Sequence, residues 1–275
     1  MYKNIIFILF IVFIFNQAHA QTTFGSELIS HQKFGDGLMV VSSKIVPLSG
    51  TVSNMFFYNR EDKPWEGNRW YEYDWEIRGK LPRNGWSQIR VRNHRGGPLR
   101  DAPENTRMDV NLGQKFYNYI LIRRGDTLIY DIRYNFDHKT YDYMNPFKHG
   151  KNSRSVLTNG PRFYKTGKNV KNIPTNKRLD FNLGITGFNN NWAGKLPKGA
   201  FSRTFQIKYA RFYQFKSSNS HKLKARPFWF DEFNGNHIDY SKWQVANWFS
   251  GNTQFRPENV SVSSGKLHLK INRGL

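Results

Sequence analysis

One short alternation constrains this chain more than any other feature: Trp70-Tyr71-Glu72-Tyr73-Asp74-Trp75-Glu76-Ile77. The chain carries 20 acidic residues against 42 basic ones, and three of those acids stand here at i, i+2 and i+4. Side chains of a β-strand point alternately to opposite faces. Glu72, Asp74 and Glu76 therefore share one face of a strand, and Tyr71, Tyr73, Trp75 and Ile77 share the other. The aromatic face needs a core to bury it. The acidic face sets three repelling carboxyl groups side by side, which disfavours their full ionisation near neutral pH. A site that hydrolyses glycosidic bonds has a use for this, because there one carboxylate attacks while another gives up a proton.

The rest of the chain repeats the strand signal. Runs rich in Phe, Tyr, Ile and Val alternate with Gly, Asn and Pro: 37–45, 51–58, 70–77, 87–92, 116–123, 127–134, 179–183, 201–215 and 266–271. No segment holds an amphipathic helical repeat beyond a turn or two. Many short strands separated by turn signals predict an all-β sandwich. Residues 137–174 are polar and basic and read as a long surface loop or insertion, and 216–226 (Lys-Ser-Ser-Asn-Ser-His-Lys-Leu-Lys-Ala-Arg) reads as a solvated linker.

The N-terminus has the form of an export signal: Lys3, an apolar run from Ile5 to Phe15, and Ala18-His19-Ala20 for cleavage after Ala20. The run is short for a membrane span, and no second long apolar segment follows. The expectation is a secreted or periplasmic protein, soluble after cleavage, with residues 21–275 forming one monomeric domain. Cysteine is absent, which excludes disulfides, thiolate nucleophiles and cysteine metal sites. Aromatics make up 16% of the chain and suit both strands and flat platforms for sugar rings. The formal net charge of +22 favours anionic partners. For an exported chain that means polysaccharide or envelope before nucleic acid, for which no motif is present.

The order of several segments resembles family 16 glycoside hydrolases, the lichenase and laminarinase group. Their usual opening is similar to Asp231-Glu232-Phe233-Asn234-Gly235 with Ser241-Lys242-Trp243, followed by a hairpin like Asn259 to Leu269. Segments like Ser26 to Ser30, Ser49 to Ser53 and Glu72-x-Asp74-x-Glu76 come next in the family but stand first here. The chain thus resembles a circular permutant, similar to the permuted bacterial lichenases, with 216–226 joining the usual termini. The resemblance implies a concanavalin A-like β-jelly roll of two curved antiparallel sheets with substrate in the concave cleft. It implies Glu72 as nucleophile, Glu76 as general acid/base and Asp74 as the group that tunes them. The unbulged E-x-D-x-E spacing is the lichenase form and implies a β-glucan with β-1,4 or mixed β-1,3/1,4 linkages. Glu27, Phe56, Tyr58, Asn182, Trp192, Trp248 and Asn252 match further substrate-binding positions.

Departures from the family pattern qualify this. Gly184 stands where a cleft tryptophan is usual, Ile89 where a polar subsite residue is, and Ile122 and Arg123 where an acidic–aromatic pair is. Lys208 replaces the Asn/Asp of the structural calcium site, so no metal or cofactor is expected. Two alternatives stay open. One is a carbohydrate-binding or envelope-associated protein on the same scaffold. The other is a hydrolase of an anionic or sulfated glycan, with Arg90, Arg92 and Arg123 pairing its charges.

Overall fold

The structure is a computed structural model that describes residues 22–59, 71–80, 87–95, 104–108, 110–142, 155–157, 160–165 and 177–274. The export signal at 1–20 lies outside these residues. The strands are β1 Thr23–Phe34, β2 Gly37–Lys44, β3 Thr51–Tyr58, β4 Tyr71–Arg78, β5 Ser87–Arg95, β6 Glu104–Met108, β7 Tyr117–Arg124, β8 Thr127–Arg133 and β9 Arg162–Lys165. They continue as β10 Leu179–Gly187, β11 Phe201–Tyr213, β12 Trp229–Asp231, β13 Trp243–Val245, β14 Phe249–Ser250, β15 Thr253–Phe255, β16 Val260–Ser263 and β17 Lys266–Arg273. Among the described residues no α-helix occurs, and a single 3-10 turn lies at Pro257–Asn259.

Two antiparallel sheets form the expected jelly roll. The inner sheet runs β13–β1–β10–β3–β4–β5–β6. The outer sheet runs β16–β17–β11–β2–β7–β8–β9, with β12 folding back on the end of β11. β1 belongs to both. Its body pairs with β10 and β13, and its first residues pair with β15 in parallel and with β17 at Asn272. β1 carries His31, Gln32 and Lys33 beside its apolar residues, so composition alone does not mark it as a strand. The hairpin of β16 and β17 turns through Ser264 and Gly265, both at positive φ (50° and 64°), as a tight two-residue hairpin requires.

The odd residues of β4 wedge between the sheets. Tyr73, Trp75 and Ile77 are all at most 1% exposed. Trp75 meets Tyr130 of the outer sheet edge-on at 5.0 Å and Tyr119 at 6.1 Å, while Tyr73 stacks on Phe57 at 4.9 Å. Phe34 ties the sheets together further along, 5.8 Å from Phe57 and 4.7 Å from Phe212. Burial pushes the Tyr73 hydroxyl up to about 12 against the opposing charge of Arg123, with a smaller push from Asp36.

A second apolar layer covers the far side of the outer sheet, where Leu38, Val40, Ile120, Ile122 and Ile129 pack under Tyr141, Tyr213, Phe215 and Leu223. This corrects the reading of 216–226 as a solvated linker. Lys216 N–H donates to Lys222 O at 2.9 Å, Lys224 N–H donates to Gln214 O at 2.8 Å, and Leu223 is buried beneath. The stretch is a folded hairpin. Residues 137–174 are also not wholly irregular, since they contain β9 and the buried Tyr141, whose hydroxyl donates to Asp131 Oδ2 at 3.3 Å. Asp131 is held beside Arg133, yet desolvation outweighs that charge and raises its pKa.

Trp75 fills the middle of the inter-sheet space, so Trp75→Ala leaves a void that its aromatic neighbours cannot close. The expected loss is about 3–5 kcal/mol of unfolding free energy, read from the midpoint and slope of a urea transition.

Candidate active site

The even residues of β4 face away from the core into a cleft of about 680 Å³. Register carries the acids across the floor. Asp74 lies opposite Phe56, Asn182 and Ile29 in turn, and Glu76 lies opposite Asn54, Gly184 and Glu27. Glu72 pairs with Tyr58 at the open end of the row. Asp74 and Glu76 are 2% and 8% exposed, so this face is covered by the walls of the cleft and is not a solvated strand surface. Among the described lining residues the charged ones are Glu27, Glu72, Asp74 and Glu76, all carboxylates.

One wall comes from the C-terminal segment, and a single buried carboxylate sets it in place. Asp231 accepts the Phe233 N–H at 2.9 Å and the Trp243 indole N–H at 2.8 Å. Phe233 adopts a positive φ of 50°, costly for an aromatic residue, and its ring stacks on Trp243 at 6.1 Å. Trp243 then registers against Ser30, which lays Gln244 beside Ile29 and lets Ala246 N–H donate to Glu27 O at 2.9 Å. Beyond it Trp248 packs edge-on to Phe255 at 6.5 Å, and Trp248, Phe249, Ser250 and Phe255 line the cleft. Phe249 is 64% exposed at its rim.

Seven of the ten residues named from sequence line this cleft: Glu72, Asp74, Glu76, Glu27, Phe56, Tyr58 and Trp248. Three do not. Asn182 is fully buried in the floor, its amide donating to Asp180 O at 3.3 Å and Phe56 O at 3.5 Å, so it holds strands β3 and β10 in place. Trp192 lies past the end of the acidic row, where its carbonyl accepts Arg78 Nη1 at 2.9 Å and its ring meets the lining residue Phe188 at 5.9 Å. Asn252 is exposed on the turn between β14 and β15.

Lining residues not named from sequence are Asn54, Thr186, Phe188, Gln244, Phe249, Ser250 and Phe255. Asn54 extends the period-2 face of Phe56 and Tyr58 and was within reach of that signal. Its amide donates to Thr186 Oγ1 at 3.3 Å. The residues from β13 to β15 lie on strands of two or three residues, too short for a periodic pattern.

A further expectation changes. Arg123 is remote from the cleft: it is 3% exposed, paired with Asp36 at 2.9 Å, and donates to Lys177 O at 2.7 Å. Arg90 and Arg92 are the register partners of Glu76 and Asp74, but their side chains lie outside the described residues. The Lys208 ammonium sits over the Phe116 ring at 4.4 Å. Gly184 is not forced by packing. A Cβ there would meet Glu27 Cγ at 3.5 Å, whereas at Gly25, Gly37 or Gly79 it would clash at 2.4 Å or less. The glycine keeps the floor open between Glu27 and Asn54.

No family model matches the chain. It is 23% identical over 252 residues to a β-glucanase of Fibrobacter succinogenes, an alignment that covers 90% of this chain and 64% of that protein. The chain is similar in sequence to that β-glucanase. It spans 64% of the length of that curated relative. Solved structures similar to it include a Bacillus licheniformis β-glucanase (18% identity, TM-score 0.43, 62% of this chain and 64% of that one). Another is a laminarinase from Flavobacterium sp. UMI-01 (14% identity, TM-score 0.46, 68% of this chain and 78% of that one).

The buried amide of Asn182 is a structural support of the floor. Asn182→Ala is expected to lose the amide's bonds to the carbonyls of Phe56 and Asp180 and to cost about 1 kcal/mol of stability, measured by chemical unfolding.

Proposed function

We propose that the chain is an exported, retaining endo-β-glucan hydrolase acting on β-1,4 or mixed β-1,3/1,4 linkages. The observation that carries this is the alignment of three carboxyl groups along β4, in the floor of an aromatic-walled cleft. Glu72 attacks the anomeric carbon while Glu76 protonates the leaving oxygen. Glu76 then activates the water that releases the glycosyl-enzyme. Asp74 stands between them and hydrogen-bonds to keep the two carboxyl groups poised.

The geometry is compatible with that assignment. Residues four apart on a strand have Cα atoms roughly 13 Å apart. A retaining pair needs its carboxyl groups about 5–5.5 Å apart. Each glutamate must therefore lean about 4 Å toward Asp74, within the reach of its side chain on a strand that curves around the substrate. The inverting alternative needs a wider gap and a water between the pair.

A neutral glycan fits the lining best. Among the described lining residues the four charged ones are carboxylates, and Arg123, one of the three arginines expected to pair a glycan's charges, is bonded to Asp36 instead. Phe56, Tyr58, Trp248 and Phe249 offer flat faces for sugar rings. The β-glucanase relative supports the same substrate class. We read the order of segments in the sequence as a circular permutation of the family's usual order. The hairpin at 214–228 is then the link between the former ends, close together because β11 and β12 are antiparallel neighbours. Export rests on Lys3, Ile5 to Phe15 and Ala18-His19-Ala20.

The purified protein is expected to release oligosaccharides from lichenan or another unsubstituted β-glucan, with the β-anomer as first product by NMR. Binding without turnover on lichenan, laminarin and xyloglucan sinks the proposal. Glu76→Gln is expected to lower kcat by about 10²–10⁴-fold on substrates with poor leaving groups. Glu72→Gly should abolish turnover, and azide should restore it on an activated aryl glycoside with an inverted glycosyl azide as product. Inversion by the unaltered enzyme would remove Glu72 from its role.

A further inference from the structure

We propose that the hairpin Gln214–Phe228, on the side of the molecule opposite the cleft, is a docking prong for an acidic polysaccharide. β11 and β12 are antiparallel neighbours that a two-residue turn could connect, yet the chain spends the whole of 214–228 there. The excursion contains Lys216, Lys222, Lys224 and Arg226 and no acidic residue.

The prong is built. Leu223 is buried under it, and Phe215 and Leu223 face each other across an antiparallel bridge. Arg124, from β7, donates to Ser218 O at 3.1 Å, contacts His221 Nδ1 at 2.5 Å and lies over the Phe215 ring at 5.3 Å. The His138 ring is bonded to Ala225 O at 2.8 Å. The apolar side chains thus point inward, and alternation sends Lys216, Lys222 and Lys224 outward, where all are exposed. Lys216 and Lys222 are cross-strand neighbours. Like charges in that relation destabilise a strand pair, so folding alone gives no reason to place them there. A bound polyanion does, and a preformed site loses little entropy on binding it. The nearby Asp137 is a single carboxylate against four cations, and it is fixed in its own turn, accepting Lys139 N–H at 3.0 Å and Thr140 Oγ1–H at 3.1 Å.

The rest of the surface selects a glycan among polyanions. Ser217, Ser218, Asn219 and Ser220 at the tip offer hydroxyl and amide groups suited to sugar hydroxyls, and nothing apolar is left there to enter a lipid layer. Phe228, at the foot, is 50% exposed and gives a sugar ring a face to stack on. The prong projects from the outer sheet and the catalytic acids from the inner one. A chain held by the prong therefore keeps its cleft open, and the proposal stands whether or not the cleft hydrolyses glucan.

The test must separate this site from the general charge of +22. Two triple variants lose the same charge: Lys216→Glu/Lys222→Glu/Lys224→Glu on the prong, and Lys195→Glu/Lys198→Glu/Arg203→Glu at exposed positions far from it. Binding is measured to immobilised polygalacturonate and dextran sulfate, with unsulfated dextran, duplex DNA and phosphatidylserine vesicles as comparators, and thermal unfolding reports on the fold. The expectation is that the prong variant loses roughly tenfold or more in affinity for the acidic polysaccharides and a shallower salt dependence, while the distant variant changes little. If the prong variant unfolds, Lys222→Gln/Lys224→Gln takes its place. Equal losses in both variants overturn the proposal, and so does tighter binding to DNA or vesicles than to the acidic polysaccharides.

Discussion

The contact between Trp75 and the outer-sheet tyrosines is the constraint on which the rest depends. A strand whose two faces are as unlike as those of β4 has one stable place in a sandwich. Its aromatic face must pack into the apolar core, and its acidic face cannot. Wedging Trp75 against Tyr130 and Tyr119 buries a large apolar area and fixes β4 as an inner-sheet strand. Glu72, Asp74 and Glu76 are then turned to the opposite face by the alternation of the strand. A slip of one residue would bury three carboxylates and expose Tyr73, Trp75 and Ile77, which is why the register is secure.

The cleft has a second dependency, far away in sequence. β4 supplies the acids, but the wall that shields them comes from residues 243–255. That wall is located by Asp231, whose two oxygens satisfy the Phe233 amide and the Trp243 indole. The carboxylate is buried, and both of its bonds are charge-assisted, so the loop from 231 to 243 has little freedom. The positive φ at Phe233 is held in place by those same bonds. This gives the two sequence segments Asp231 to Gly235 and Ser241 to Trp243 one physical reason to occur together, namely that each supplies half of the contact.

What was legible in the sequence follows from how each signal arises. Alternation over eight residues marks β3 and β4 and, with them, the carboxylates and the Phe56–Tyr58 pair. β1 was harder to read because it serves both sheets and carries His31, Gln32 and Lys33 in its length. The strands β12 to β15 are too short for any period, so Phe249, Ser250 and Phe255 became visible only when Asp231 and Trp243 placed them. The stretch 216–226 was misread for a different reason. Its composition is that of a solvated linker, and only Leu223 and Phe215 hint at a buried side. Two apolar residues on alternate positions are below what a pattern can resolve, yet they are enough to pin a hairpin when the layer beneath is already apolar.

The two charge distributions also act separately. The cleft is lined by carboxylates in a chain of net charge +22, and positive charge on the exterior attracts them. It does so weakly, because exposed charges are screened within about 8 Å at physiological ionic strength. The prong lies on the far side of two packed sheets, which are about 10 Å apart face to face before side chains on the outer surfaces are counted. Its cations are therefore screened from the cleft, where the charged neighbours of Glu76 among the described lining residues are Glu27, Glu72 and Asp74. The same separation lets the basic surface change without altering the surroundings of the acids, so the two charge distributions are independently adjustable in this fold.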